Sequence, residues 1–175
     1  MIKVLGIDPG LAATGIGIVT GHQFDVSTFS YGCIRTASQW PLADRLRQIH
    51  TKLTNTIVTE RPDLMVLEDV FFLNRIPTSA LSLAKVAGVI LLAGSSNGVT
   101  VSEIPVREAK RNLTGNGNAT KAQLEKAVRN RLAIKGPIQP SHAADALGLA
   151  LIGLYRHADQ QRLMASPESV FYSVS

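Results

Sequence analysis

Short apolar runs closed by a turn or a charge alternate along this chain with stretches whose apolar residues recur every three or four positions. The first run, Ile2-Lys3-Val4-Leu5-Gly6-Ile7-Asp8-Pro9-Gly10, reads as a buried strand that ends in one carboxylate and turns at once. Thr14 to Thr20 sets apolar residues against glycine and polar ones, Gly21-His22 suits a hairpin tip, and Gln23 to Thr36 supplies a third strand. Three strands in succession suggest an antiparallel meander. From Pro41 to Thr59, Leu42, Leu46, Ile49, Leu53 and Ile57 mark an amphipathic helix with proline in its first turn. Asp63 to Glu68 is a second buried strand that terminates in an acid.

Phe71-Phe72-Leu73-Asn74-Arg75 reads as a loop, and a helix follows from about Pro77 to Ser95. That helix is apolar nearly all round, with Ala80, Ala84 and Gly88 four apart, so it is expected in a core or at a subunit interface. Val99 to Ile104 is a fifth strand, and Arg107 to Leu113 a short helix that stops at Gly115-Asn116-Gly117. Thr120-Lys121-Ala122-Gln123 has the form of a capping box, opening a helix to about Ala133 that stops at Lys135-Gly136-Pro137. A last helix opens near Pro140-Ser141 and runs through Arg156. No period is visible from His157 to Ser175. Strands and helices in this order predict a mixed α/β layer architecture, one domain over 1–157 followed by a tail over 158–175.

Composition narrows the class. Hydrophobic residues make up 45% of the 175 and charged ones 18%, ordinary for a soluble globular chain. The single cysteine, Cys33, excludes a disulfide framework and a cysteine-based zinc site, and its strand-like setting suggests a small core residue. The most apolar run, Val86 to Gly94, is too short to cross a bilayer, and no signal peptide precedes the first strand, so a cytoplasmic protein with no membrane partner is expected. The net charge of +5 is concentrated: between Pro105 and Gly136 eight basic side chains face two acids, Glu108 and Glu125, while the remainder is close to neutral. A solvated helix face explains such a segment as well as a polyanion-binding face does.

The acids carry the chemistry. Asp8 and Glu68 close two buried strands, and Asp145 shares a helix face with His142 three residues earlier. Each has an ordinary explanation alone; Asp145, for one, suits the helix dipole. Brought together, three carboxylates cannot all ionise in a dry site without a compensating charge. Mg²⁺ suits oxygen ligands and keeps waters for phosphate oxygens. Two such ions roughly 3.5–4 Å apart can activate a water and stabilise the leaving oxygen of a phosphodiester. A neutral His142 can join as a ligand.

Several stretches together resemble the RuvC Holliday-junction resolvases. They are Gly6-Ile7-Asp8-Pro9-Gly10 with Thr14-Gly15, Gly32-Cys33-Ile34-Arg35-Thr36, Leu67-Glu68-Asp69-Val70-Phe71-Phe72 and Ser79-Ala80-Leu81. Gly115-Asn116-Gly117 with Ala119-Thr120-Lys121, and His142-Ala143-Ala144-Asp145-Ala146-Leu147, complete the set in order over Met1 to Arg156. The first stretch alone also recurs in actin-like ATPases, which need a much longer chain. The resemblance implies a ribonuclease-H-like fold with a five-stranded mixed sheet flanked by helices. It further implies a homodimer, a branch-migration complex as partner, and metal-dependent nicking of two opposed strands of a four-way DNA junction. Asp8, Glu68 and Asp145 become catalytic metal ligands. The position of His142 is an aspartate in some members and histidine in others. An imidazole there suits Mn²⁺ better than Mg²⁺, and activity is expected to fall where it takes up a proton.

Phe71 and Phe72 pack in a core or expose a stacking platform, and the resemblance favours Phe71 as the residue that enters the junction centre. Arg75 follows in the same loop. Gly115 and Gly117 before a capped helix offer backbone N–H groups to a phosphate, although Gly-Asn-Gly is also simply a turn. With Arg107, Lys110, Arg111 and Lys121 nearby, DNA-backbone binding is the preferred reading. Two further classes stay open: a junction-binding dimer that no longer cuts, and a ribonuclease-H-like nuclease acting on RNA.

Overall fold

The computed structural model describes residues 1–69 and 78–165. In chain order its elements are β1 (Ile2–Asp8), β2 (Ala13–His22), β3 (Asp25–Arg35), α1 (Leu42–Glu60) and β4 (Leu64–Asp69). Then come α2 (Thr78–Ser96), β5 (Thr100–Pro105), α3 (Val106–Thr114), α4 (Lys121–Leu132) and α5 (Ser141–Ala165). The five strands form one sheet in the order β3-β2-β1-β4-β5. β1, β2 and β3 pair antiparallel through short turns, the expected meander. β4 lies parallel to β1 and β5 parallel to β4, and α1 and α2 make the crossovers that parallel neighbours require. This is the mixed five-stranded sheet of a ribonuclease-H-like fold.

Alternation along the strands splits the interior into two layers. Leu5 and Ile7 of β1 join Met65 and Leu67 of β4 beneath α1 and α2, packing on Ile49, Leu53 and Ile90. Val4 and Val66 face the other way, onto α5, where Leu147, Ala150, Leu151 and Leu154 meet them. Each such aliphatic side chain, fully buried, contributes roughly 1.5–3 kcal/mol. α5 lies unusually close to the sheet because glycines face it. A Cβ on Gly6 would stand 2.1 Å from the Ala146 carbonyl oxygen, and one on Gly17 2.5 Å from the Leu147 nitrogen.

Several expectations need correction. Of the two settings expected for α2, this chain's own core covers it only in part, and the helix buried all round is α5: every residue from Ala143 to Leu154 except Asp145 is buried. α2 buries Ala80, Val86, Ala87, Ile90 and Ala93, but leaves Leu81 and Leu92 more than half exposed and Ala84 and Gly88 open. The hairpin tip is Gln23-Phe24 rather than Gly21-His22, because Gln23 takes the left-handed conformation with φ 54°. α4, by contrast, ends where expected, at Leu132 with Ala133 left-handed at φ 54°. α5 continues past Arg156 to Ala165. Cys33 is only half-buried on the edge strand β3, where the Arg35 Nε lies 3.4 Å from its sulfur.

Candidate active site

β1 and β4 run parallel with Ile7 opposite Leu67, so the next residues, Asp8 and Glu68, leave the same edge of the sheet. Open α/β sheets place their ligands at such carboxyl ends. β2 brings α5 to this edge: Asp8 pairs with Gly15, and a Cβ on Gly15 would stand 2.0 Å from the carbonyl oxygen of His142. A side chain there would push the start of α5 away, so the glycine sets the height of His142 and Asp145 over the strand ends.

Asp8 is buried, 6% exposed, and its Oδ2 lies 2.5 Å from the Nδ1 of His142. Burial raises the Asp8 carboxyl above its usual range and Asp145 adds to that, while the His142 hydrogen bond opposes it. Glu68 is pushed up to about 8, by burial first and then by the Asp8 charge, its hydrogen bond with Asp8, and Asp145. Two neighbouring carboxyls that both resist ionisation are the signature of acids crowded into one dry pocket. Asp145 relieves the crowding at one corner by accepting from the Lys121 Nζ at 3.2 Å, and that acid raises the ammonium's own proton affinity.

The loop after β1 is clamped by side chains whose roles the sequence did not disclose. The buried Thr14 hydroxyl donates to the Gly10 carbonyl at 2.8 Å, and the Thr36 hydroxyl to that of Leu11 at 2.6 Å. Arg45 from α1 in turn donates to Thr36 at 2.8 Å. A threonine four residues after a strand-end turn is the pattern that could have flagged the first of these contacts.

The structure therefore gathers Asp8, Glu68, Asp145, His142 and Lys121. Among the described residues no set of three or more acids, histidines or cysteines stands ready to hold an ion. Asp8 is turned to His142 and Asp145 to Lys121. The donor set nonetheless fits a hard divalent cation, because it consists of carboxylate oxygens and an imidazole with an unmet demand for positive charge.

Other candidates form a second group. Arg107, Arg111, Gly115 and Gly117 line a cavity of about 400 Å³ with Glu108, Asn116 and Asn118. Gly117 sits close against Arg107, since a Cβ there would stand 2.9 Å from its side chain. α4 opens with the expected capping box, Thr120 accepting from the Gln123 N–H and Gln123 from that of Thr120. Lys110 lies on α3 but outside the residues that line this cavity. Phe71, Phe72 and Arg75 lie outside the described residues.

A mixed sheet that carries acids from β1, β4 and α5 to one edge, beside a cationic flank, defines a ribonuclease-H-like enzyme of nucleic acids. Within that class the chain belongs to the RuvC family: the family model "Crossover junction endodeoxyribonuclease RuvC" matches residues 4–153. It is 35% identical to the crossover junction endodeoxyribonuclease RuvC of Brevibacillus brevis, over 97% of this chain and 99% of that one. The solved structure of Thermus thermophilus RuvC in complex with a Holliday junction substrate superposes with a TM-score of 0.84 at 28% identity, over 91% of this chain and 97% of that one. The yeast mitochondrial Holliday junction resolvase Ydc2 shares the fold, with a TM-score of 0.61 at 13% identity over 91% of this chain and 80% of that one.

Proposed function

We propose that this chain resolves four-way DNA junctions by paired, metal-dependent nicking of two opposed strands, with Asp8, Glu68, Asp145 and His142 as the catalytic set. As a member of the RuvC family it is a crossover junction endodeoxyribonuclease. The observation that carries the residue assignment is the convergence of three carboxyls from separate elements, of which Asp8 and Glu68 are pushed up together.

Asp8, Glu68 and Asp145 would hold the divalent ions, which supply a nucleophilic water and charge stabilisation at the scissile phosphate. His142 keeps the Asp8 carboxylate turned towards α5 and would act as a further ligand or as the general base. The imidazole makes Mn²⁺ at least as effective as Mg²⁺. Lys121, ionised and already seated on Asp145, offers its ammonium to a backbone phosphate at the same edge. Arg107, Arg111 and the Gly115–Gly117 turn grip the strand beyond it, Lys110 adds charge on the same helix, Phe71 would enter the junction centre, and Phe72 and Arg75 would add DNA contacts.

A four-way junction presents strands related by a two-fold axis, so a homodimer offers two equivalent sites. The exposed face of α2, with Leu81, Ala84, Gly88 and Leu92, suits a second copy because its small residues allow close approach. Leu92→Glu should shift sedimentation from dimer to monomer, and an unchanged profile would exclude this face. Among the described residues no helix is long and apolar enough to cross a membrane. A cytoplasmic setting and a branch-migration complex as partner are part of this proposal.

The direct test incubates the protein with an end-labelled four-way junction or a matching linear duplex, in Mg²⁺ or Mn²⁺, beside an Asp8→Asn control. Symmetric paired nicks in the junction only, lost in the control, are expected. Tight junction binding without cuts in either metal would instead identify a silent binding protein, with His142 the residue at issue.

A further inference from the structure

We infer that a groove between α3, α4 and the β2–β3 hairpin is a second DNA-contact surface, one that holds the backbone of a duplex arm away from the catalytic acids. The inference rests on the junction-binding reading above. The groove is the larger neighbour of the Arg107–Gly117 cavity, at about 870 Å³, and Asn116 lines both, so one polar path leads from the first into the second.

Its lining carries charge of one sign only. Four side-chain amides and the cations Lys126 and Arg131 line it, with no carboxylate. Arg47 and Arg156, by comparison, sit on Asp44 and Glu108. Arg131 is held by neutral groups. Arg131 lies 5.2 Å from the centre of the Tyr155 ring and donates to the Phe24 carbonyl at 2.6 Å. Arg162 lies 4.7 Å from the Phe24 ring centre. The acid that bears on this corner is Asp25, which adds slightly to the upward push that burial gives the Tyr155 hydroxyl. Cations with no carboxylate beside them in the lining, set among amides, complement a line of phosphates better than they complement a basic protein face.

The placement fits a continuous arm. Ten residues of helix separate Lys121, on the catalytic Asp145, from Arg131, a rise of about 15 Å or four to five phosphate steps along a strand.

The test measures binding of the full chain to a four-way junction by fluorescence anisotropy across salt, without a divalent ion so that no strand is cut. Lys126→Gln and Asn130→Asp change the exposed wall of the groove, and Lys52→Gln on α1 is the control. Lys126→Gln should flatten the slope of log affinity against log salt by about one, so that its deficit shrinks about fourfold between about 50 and 200 mM salt. Asn130→Asp should weaken binding several-fold, and the control should match the wild type. Wild-type slopes and affinities in Lys126→Gln and Asn130→Asp would overturn the inference and leave a protein as the groove's occupant. Equal losses in the Lys52→Gln control would overturn it too, by showing that net charge alone acts. A wild-type chain that bound junctions without cutting would refute the catalytic assignment, while the salt slopes would still decide the groove.

Discussion

Replacing Gly15 by alanine should disable cutting far more than its single methyl group suggests. The added Cβ would stand 2.0 Å from the His142 carbonyl oxygen and 2.5 Å from its carbonyl carbon, both backbone atoms that cannot rotate away. Ordinary contact begins at 3.4 Å, so the start of α5 must lift by about 1.4 Å or β2 must bend by as much. Asp145 and His142 ride on that turn of helix, whereas Asp8 and Glu68 stay with the sheet. A shift of about 1 Å among groups that must act together costs on the order of 100-fold in rate. Overpacking should lower stability by about 1–3 kcal/mol, a separate and smaller effect. Single-turnover cutting of a labelled junction at saturating enzyme and metal, at a temperature well below the variant's melting point, separates the two. Gly32→Ala is the matched control, since a Cβ there meets nothing within 4 Å, and it should cut like the wild type. A Gly15→Ala protein within twofold of wild type would refute the idea that this contact sets the height of α5.

The raised carboxyls make a signed prediction for pH. Folded Glu68 keeps its proton up to about 8, whereas an ordinary glutamate releases it near 4.5, so without metal stability should fall as pH rises across that window. Divalent metal selects the ionised acids and should oppose that fall, and chemical denaturation with and without Mg²⁺ reads both effects; a flat metal-free profile would contradict the crowding of these acids. His142→Asp should raise activity in Mg²⁺ relative to Mn²⁺, measured as the ratio of cutting rates, and an unchanged ratio would remove His142 from the ligand set. Ala133→Gly should stabilise the protein by about 1 kcal/mol, because the position is exposed and left-handed with φ 54°; a lower melting temperature would count against that cap geometry.

The strand-end acids were legible because a buried strand that stops at a carboxylate breaks its own hydrophobic pattern, at Asp8 and again at Glu68. The helix that brings the third acid was legible as a helix, yet its central position was not. α2 and α5 both lack a polar face in sequence, and periodicity cannot say which of two such helices the sheet will choose. What decides is the glycine column on β1 and β2, Gly6, Gly15 and Gly17, whose meaning depends on β1 and β2 pairing in register. Thr14, Thr36 and Arg45 were silent for a related reason, as their partners are backbone carbonyls of a loop that exists only once the meander has closed. The hairpin tip was misread because Gln23 adopts left-handed backbone without being glycine.

The burial of α5 has a consequence for how this site can move. Amide hydrogens between Ala143 and Leu154 belong to the best-packed helix of the domain, so their exchange with solvent should require global opening. Asp145 is embedded in that cooperative unit, and heat or denaturant that frees it must melt the sheet as well. Adjustment to the branched geometry of a junction then falls to the periphery, to α3, α4 and the loops around them, while the carboxyl framework stays put. A conditional variant that loses cutting at high temperature through a change in this helix should lose its fold at the same temperature.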